Sequence, residues 1–595
     1  MSRMSFYLVG ALVTVALLST ATCSRAPEQA HARIYRHSLD EAPTSLDPVH
    51  AATIYSNYVI RVAYDTLYAY KYLARPYELE TNLAASMPAI SPDGLIYTIP
   101  IKHGVLFVDD PAFPNGKGRE LTAQDVVFSI ERHFDPANHS EGVWLWRDRI
   151  VGLDDWGKAG AHYDADVAGL RAVDPYTLRI ELTRPYPQLP HTLAQGFAAI
   201  VPHEAVEHYG PELGIHPVGS GPYQVRSFDT AKAVLIANRA FRQEPVNIRA
   251  EGYDEALYGF TGSAAIDARS PPFLDGIEIH FISDPTSRWI SFTKGNEIQY
   301  TELRNEQVET VLASRDPPLL KPELAQRYDF STGLEAGFLY LSFNFNFPEI
   351  GRNNDPERAA RNRALRCAMI KGFDWKARND TFYFGLGRVF PGVIPPVVPE
   401  FDPNLATTSV QLDIEGARKL LADHGWTADS LPTLDYGAVG NANAQQMYEQ
   451  FRGFMERIGY PPDKIVWKPY PNFGDLQGAW KQSELPLVFH SWTLDFPDAE
   501  NALQVFYGPN HSPGSNDSNY ENPEYDRLYE QAAAMTPSPE RTAIYGRMNQ
   551  ILIDDCVAIT GIARTRILLW HKNVVAFPDR EILGGYFLRY VDLER

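Results

Sequence analysis

The stretch Trp492-Thr493-Leu494-Asp495-Phe496-Pro497-Asp498 sets an indole three residues ahead of a carboxylate, then closes on a proline turn with a second acid. Taken alone, it permits two chemistries. Asp495 can cap the turn into Pro497, as short acids do beside tight turns. Asp495 and Asp498 can also be imagined as the paired carboxylates of a glycosidase. The chain holds 74 acids, so such pairs arise everywhere, and this one has no second supporting motif. The stretch gains meaning from the segments that precede and follow it.

Those segments are mixed strands and helices. Leu178-Arg179-Ile180-Glu181-Leu182 alternates as a half-buried strand, as does Ile277-Glu278-Ile279-His280-Phe281. Leu339, Leu341, Phe343 and Phe345 alternate with Tyr340, Ser342 and Asn344, which predicts a strand with a polar, solvated face. Thr122 with Asp125 three residues later reads as a capping box. Ala417, Leu420, Leu421 and His424 keep helical spacing, and Gly425 supplies the stop. Asn522-Pro523 and Ser538-Pro539 each pair an N-cap with proline at the first helical position. The class is α/β or α+β with mixed sheets. No repeat or long linker divides the chain, so any domain division is compact and discontinuous.

Composition narrows the role. The 595 residues argue for about four units at roughly 150 residues each, and the fraction of apolar residues is that of a globular protein. The formal net charge of −20 speaks against phosphate-backbone binding, so no nucleic acid is expected. The 32 Tyr and 10 Trp suit either a large core or an amphipathic contact surface. Arg3 precedes a thirteen-residue apolar run, Phe6 to Leu18, and small residues follow. That order is an export signal over residues 1–23, and the run is too short to span a bilayer, which takes about 20 apolar residues. Cys23 stands where a lipoprotein signal places its acylated cysteine, although Thr20 and Thr22 fit that pattern badly. Cleavage after Ala21 is the alternative, and the lipid anchor is preferred because the chain has only three cysteines. The other two, Cys367 and Cys556, form a disulfide or stay as two buried thiols. The mature protein is expected outside the cytoplasm.

The search for catalytic chemistry is nearly empty. His203 and His208 are five apart, which turns them away from one another on a helix, so a zinc-protease pair is not encoded. Gly219-Ser220-Gly221-Pro222-Tyr223 lacks the Lys-Ser/Thr ending of a phosphate-binding loop, and Pro222 removes an amide donor. No G-x-S-x-G elbow is present. No metal, cofactor or catalytic residue is expected.

Several segments, in order, resemble the family 5 extracellular solute-binding proteins of ABC transporters, the oligopeptide and dipeptide binders. They are Pro43–Pro48, Tyr64–Leu67, Asn82–Ser86, Ser91–Tyr97, Ile101–Phe107, Leu121–Val127, Pro217–Tyr223, Leu341–Asn344, Ala417–Gly425, Trp492–Asp498 and Tyr520–Asp526. Together they cover roughly residues 34–570. Departures exist. Gly295-Asn296-Glu297-Ile298-Gln299 stands where the family has Gly-x-Ile-Asp. Cys556-Val557 replaces the usual proline after the last long helix. Residues 246–271 look like an insertion that could reshape the cleft rim.

The resemblance implies a two-lobed periplasmic-binding-protein fold of type II. Lobe I would take residues 31–336 and 561–595, with 73–215 as the family's extra subdomain. Lobe II would span 337–560. Two crossing segments, near Leu334–Leu341 and Ile559–Arg564, would form the hinge, and ligand would shift an open–closed equilibrium. The implied function is capture of a peptide, or another small solute such as a metal chelate, haem, sugar or opine, for delivery to an ABC permease and its ATPase. The protein is expected to be a monomer and not an enzyme, with an extracytoplasmic hydrolase as the rival reading. The resemblance assigns Asp495 to a substrate amine, a charge-assisted bond that is strong when both partners are desolvated together. Trp492 would wall the cleft. Tyr223, Asn344, Tyr340 and His490 are further cleft candidates, and the polar loop Ser512–Asn519 would sit at the rim. Arg147, Arg288 and Arg388 are candidates for a substrate carboxylate by chemistry alone.

Overall fold

A computed structural model describes residues 32–294, 297–303, 305–578 and 584–594. The export segment, Cys23 and Gly295-Asn296 lie outside the described residues. No helix among the described residues is long and apolar enough to cross a membrane.

Lobe II is built on a six-stranded sheet. Its order is Arg388–Val389, Ala558–Ala563, Gly337–Phe343, Leu487–Thr493, Leu434–Val439, Ile465–Tyr470. Gly337–Phe343 runs antiparallel to both its neighbours. The last three strands run parallel to each other. Helices cover the sheet, so Gly337–Phe343 is buried along its whole length. The polar, solvated face expected there does not exist: Tyr340 and Ser342 point into packed surroundings, because this strand is central rather than half-exposed.

Among the described residues the rest of the chain forms two four-stranded sheets, a three-stranded sheet and three two-stranded ribbons. Ile34–Leu39, Gly276–Phe281, Lys232–Ala237 and Tyr223–Phe228 pair in that order. Ala89–Ile90, Ile96–Pro100, Thr177–Glu181 and Leu170–Asp174 make a second sheet. Thr177–Glu181 alternates as the sequence predicts, with Leu178 and Ile180 inward, and its neighbour Ile96–Pro100 turns Tyr97 and Ile99 inward. The third sheet, Tyr300–Glu302, Thr565–His571 and Tyr328–Leu334, feeds the two crossings.

At one crossing the chain leaves Leu334, passes Glu335 and Ala336, and enters lobe II at Gly337. At the other it returns from Ala563 through Arg564 to Thr565. The Glu335 amide donates to the Arg564 carbonyl at 2.7 Å, so the crossings are hydrogen-bonded side by side. The sequence suggested apolar segments, but the crossing points carry charge. Arg564 grips Glu335 with two bonds of 2.6 Å, and Arg566 adds one of 2.7 Å while also reaching Glu302 at 2.5 Å.

The expected caps are present. Asp125 accepts from the Thr122 amide at 2.8 Å and is itself held by Arg119 at 2.7 Å. Asn522 and Ser538 cap the helices Pro523–Ala533 and Pro539–Asp554. Cys367 and Cys556 form a disulfide, which ties the helix Pro356–Gly372 to the turn before Ala558–Ala563. Residues 246–271 contact Leu73 and the strand Thr565–His571. Tyr258 donates to the Leu73 carbonyl at 2.9 Å, and Phe260 lies 6.0 Å from Trp570 on a hinge-sheet strand. The insertion therefore backs the hinge region.

Candidate functional site

The helix Ile54–Ala63, capped by Thr53, presents Asn57 and Arg61 toward lobe II. The turn Gln195-Gly196-Phe197 lies beside it. Across the gap stands Thr493-Leu494-Asp495. Together these line a cavity of about 100 Å³ between the lobes.

One buried side chain shapes the lobe II wall. Asn501 Oδ1 accepts from the Asp495 amide at 2.9 Å and from Trp492 Nε1 at 3.0 Å. Its Nδ2 donates to Asp495 Oδ2 at 3.1 Å. Asn501 thus fixes the carboxylate and the indole relative to each other. Capping falls to Asp498, which accepts from the Glu500 amide at 2.8 Å and pairs with the buried Arg541 at 2.7 Å and 2.9 Å. Asp495 and Asp498 therefore have separate partners.

Asp495 makes no ion pair among the described residues. Burial pushes its carboxyl up to about 6, although the Asn501 hydrogen bond and the Arg61 charge pull the other way. This is a carboxylate held short of compensation inside an inter-lobe cavity.

Lobe I touches the same loop. Gln195 Nε2 donates to the Asp495 carbonyl at 2.7 Å. His191 and Phe496 rings lie 6.0 Å apart. Five residues past Asp495, the buried Glu500 accepts from Tyr186 at 3.2 Å and from Tyr529 at 3.0 Å, with Arg149 at 3.4 Å. Arg149 lies over the Tyr186 ring, 3.8 Å from its centroid. Tyr186 and Arg149 precede the first crossing and Tyr529 lies between the two crossings, so this cluster joins parts of the chain that the crossings separate.

The remaining sequence candidates fall elsewhere. Tyr223 is wholly buried in the lobe I core. Tyr340 is buried at 4.0 Å from the half-buried His490, and Trp480 flanks that imidazole at 4.9 Å. Burial, with the Lys481 charge, pushes His490 down to about 3, so it is neutral at physiological pH. Asn344 is buried, donating to the Leu485 carbonyl at 3.1 Å and accepting from Asn519 at 3.1 Å. In the loop Ser512–Asn519, Ser515, Asn516, Ser518 and Asn519 are buried. Asn516 donates to the carbonyls of Tyr507 and Tyr520, which explains how so polar a segment can be interior. Of the sequence candidates only Asp495 lines the cavity, with Trp492 tied to it through Asn501.

The cationic candidates also move. Arg147 is exposed on a different hollow, Arg288 is buried and donates to the Ile282 carbonyl at 2.6 Å, and Arg388 lies over the Phe401 ring. The cation in the cavity is Arg61, which helical periodicity could have placed but nothing in the sequence singled out. Among the described residues no cluster of His, Cys, Asp and Glu could hold a metal ion.

Known proteins place this architecture. The glutathione-binding protein GsiB of Escherichia coli O1:K1 is 22% identical over 559 residues, covering 93% of each chain. The structure of Helicobacter pylori DppA, solved with the peptide STSA, aligns at a TM-score of 0.72 with 20% identity, covering 94% of this chain and 98% of that one. The murein tripeptide binding protein MppA of Escherichia coli aligns at 0.73 with 19% identity, covering 95% and 99%. These likenesses establish the two-lobed fold. The model of the bacterial extracellular solute-binding proteins, family 5, matches residues 78–514, and the chain belongs to that family.

Proposed function

We propose that the protein captures amine-bearing peptides between its lobes and delivers them to an ABC permease and its ATPase. The observation that carries this reading is Asp495, an under-compensated carboxylate inside the inter-lobe cavity. An ammonium entering there exchanges water for a desolvated, charge-assisted bond. Peptide-bound neighbours of the same fold and a glutathione-binding relative support a peptidic ligand. Trp492, tied to Asp495 through Asn501, walls the site.

In this reading lobe I comprises 31–336 and 561–595, with 73–215 as the extra subdomain, and lobe II comprises 337–560. They close about the Glu335 and Arg564 crossings, and Glu500 engages Arg149 and Tyr186 only when closed. The protein works as an exported monomer, anchored through Cys23, and captures ligand stoichiometrically without turnover.

Native mass spectrometry of protein purified without denaturation tests the reading. A ladder of peptide-mass adducts, lost in Asp495→Ala, is expected. One discrete non-peptide adduct would retain the transport role and discard the peptide. Ligand affinity unchanged in Asp495→Ala would discard the site.

A further inference from the structure

We propose that Gln195 is a positioning residue for capture: its side-chain amide latches the backbone of Asp495 from the far side of the crossings, so that closing is held at the residue that faces the ligand. This rests on the capture reading of the Asp495 cavity and adds what keeps that cavity shut.

The loop that carries Asp495 is fixed group by group. The Leu494 amide donates to the Ala336 carbonyl at 2.8 Å, which ties the loop to the first crossing. Gly337 follows Ala336, and a Cβ there would collide with the Trp492 carbonyl oxygen, so crossing and loop approach too closely for a side chain. The Asp495 amide donates to Asn501 Oδ1 at 2.9 Å, and Asn501 Nδ2 donates to Asp495 Oδ2 at 3.1 Å. Ala336 and Asn501 lie at the first crossing or between the two, so they travel with the loop. The Asp495 carbonyl is taken instead by Gln195, which precedes the first crossing, at 2.7 Å.

The Gln195 amide is oriented before it reaches across. Its Nε2 also donates to the His191 carbonyl at 3.1 Å, four residues back. A flipped amide would set Oε1 against two carbonyl oxygens, which cannot donate. The Gln195 backbone amide donates to the Thr192 carbonyl at 3.2 Å, and its carbonyl accepts from the Ala198 amide at 2.8 Å, so the turn holds it from both sides. The residue is buried. One N–H is kept by His191, and the other is aimed at Asp495 with little rotamer freedom left to lose. Opening would part Gln195 from Asp495 and leave Asn501 in place, so the loop keeps its shape while the latch is released. Gln195 touches no side-chain atom of Asp495 and has no titratable group. It therefore sets how firmly the cleft closes, not which ligand enters or at which pH.

Small-angle scattering and isothermal titration on Gln195→Met test this, because methionine matches the reach of glutamine and has no N–H. The titration probe is a lysine-free pool of di- to pentapeptides, used at pH 7 and at pH 5.5. The ligand-free variant is expected to show a larger radius of gyration than wild type. The pool is expected to bind it about threefold to tenfold more weakly, the worth of one neutral hydrogen bond, and by the same factor at both pH values. Wild-type scattering and wild-type affinity would overturn the proposal and reduce Gln195 to packing. Weaker binding with unchanged scattering would overturn it by pointing to a direct ligand contact, and a loss confined to one pH would do so by pointing to the Asp495 carboxyl. If wild type does not bind the pool, the peptide reading falls, and the ligand-free scattering still judges the latch: a larger radius supports it and an unchanged one overturns it. Gln195→Asn keeps the amide but withdraws it by one carbon. The same shifts are expected there, and it decides the matter if Gln195→Met does not fold.

Discussion

Two buried acids sit about the same cleft and are treated in opposite ways. Glu335, at the hinge, receives bonds of 2.6 Å, 2.6 Å and 2.7 Å from two guanidiniums. Burial alone would raise its pKa, but the charges of Arg564 and Arg566 hold it down to about 2. Asp495 has a neutral amide and a more distant arginine, and burial raises it to about 6. The chain completes the first acid by itself and leaves the second incomplete. A hinge must keep its two crossings together whatever the lobes do. A binding site must keep part of its stabilisation for the ligand.

The largest expected effect breaks the completed side. Glu335→Ala strips Arg564 of its acid and leaves Arg566 with Glu302 alone, and breaking a buried pair in this way costs about 3–5 kcal/mol. Thermal or urea unfolding should show that loss. Native-like stability in this variant would mean that the hinge cluster is solvated in solution.

Asp495→Asn should do the reverse. Removing an under-compensated buried charge leaves the ligand-free protein equally stable or more stable at neutral pH, while affinity for amine ligands falls. Losing the charged partner of a desolvated ammonium is worth about 2–5 kcal/mol, or thirtyfold and upward. Calorimetry and thermal unfolding on one preparation read both effects. A variant that loses stability and affinity together would make Asp495 structural and collapse the contrast.

The same contrast has a pH signature. Glu335 titrates lower folded than its unfolded value of about 4.3, so the stability it confers is present above that value and is lost as pH falls toward 2. Asp495 titrates higher folded than unfolded, so the folded state holds the extra proton between about 4 and 6 and its stability declines as pH rises through that window. An ammonium ligand relieves that penalty only when Asp495 is ionised. Ligand-induced stabilisation should therefore be full at pH 7 and shrink as pH drops below about 6. Ligand stabilisation that is flat from pH 5 to 7 would remove Asp495 from the binding step.

Local signals in the sequence survive folding, and long-range ones had no signal to leave. Thr122 with Asp125, Asn522-Pro523 and Ser538-Pro539 act within one helical turn, so their residue types determine their roles. The Trp492–Asp498 stretch is legible for the same reason, although its organiser Asn501 lies just beyond it. The hinge charges were hidden because Glu335 and Arg564 are 229 residues apart and each sits in an apolar context. Arg61 was hidden because Gln195 and Asp495, which line one cavity with it, are far from it in the chain. Tyr223, Tyr340 and Asn344 went the other way. Their polar tips suggested a cleft, whereas Tyr340 sits on a central strand buried on both faces, Asn344 follows that strand into buried surroundings, and Tyr223 is the one buried residue of the edge strand Tyr223–Phe228.

Glu500 lies between the two extremes and gives the smallest effect. It is buried, and burial pushes its carboxyl up although Arg149 opposes the shift. Unlike Glu335, its cation is at 3.4 Å and in the other lobe, and one tyrosine comes from each lobe. Opening would strip away Arg149 and Tyr186 and leave Tyr529, so the cluster favours the closed form by a modest amount. Tyr186→Phe deletes one lobe-bridging hydrogen bond, worth about 0.5–1.5 kcal/mol, without placing or removing a charge. Small-angle scattering should then show a more open ligand-free protein, and ligand should dissociate about threefold to tenfold faster. The Asp495 amine contact is untouched, so the preference for free over acetylated peptides should persist. A variant that opens no further and releases ligand at the wild-type rate would reduce the Glu500 cluster to lobe packing.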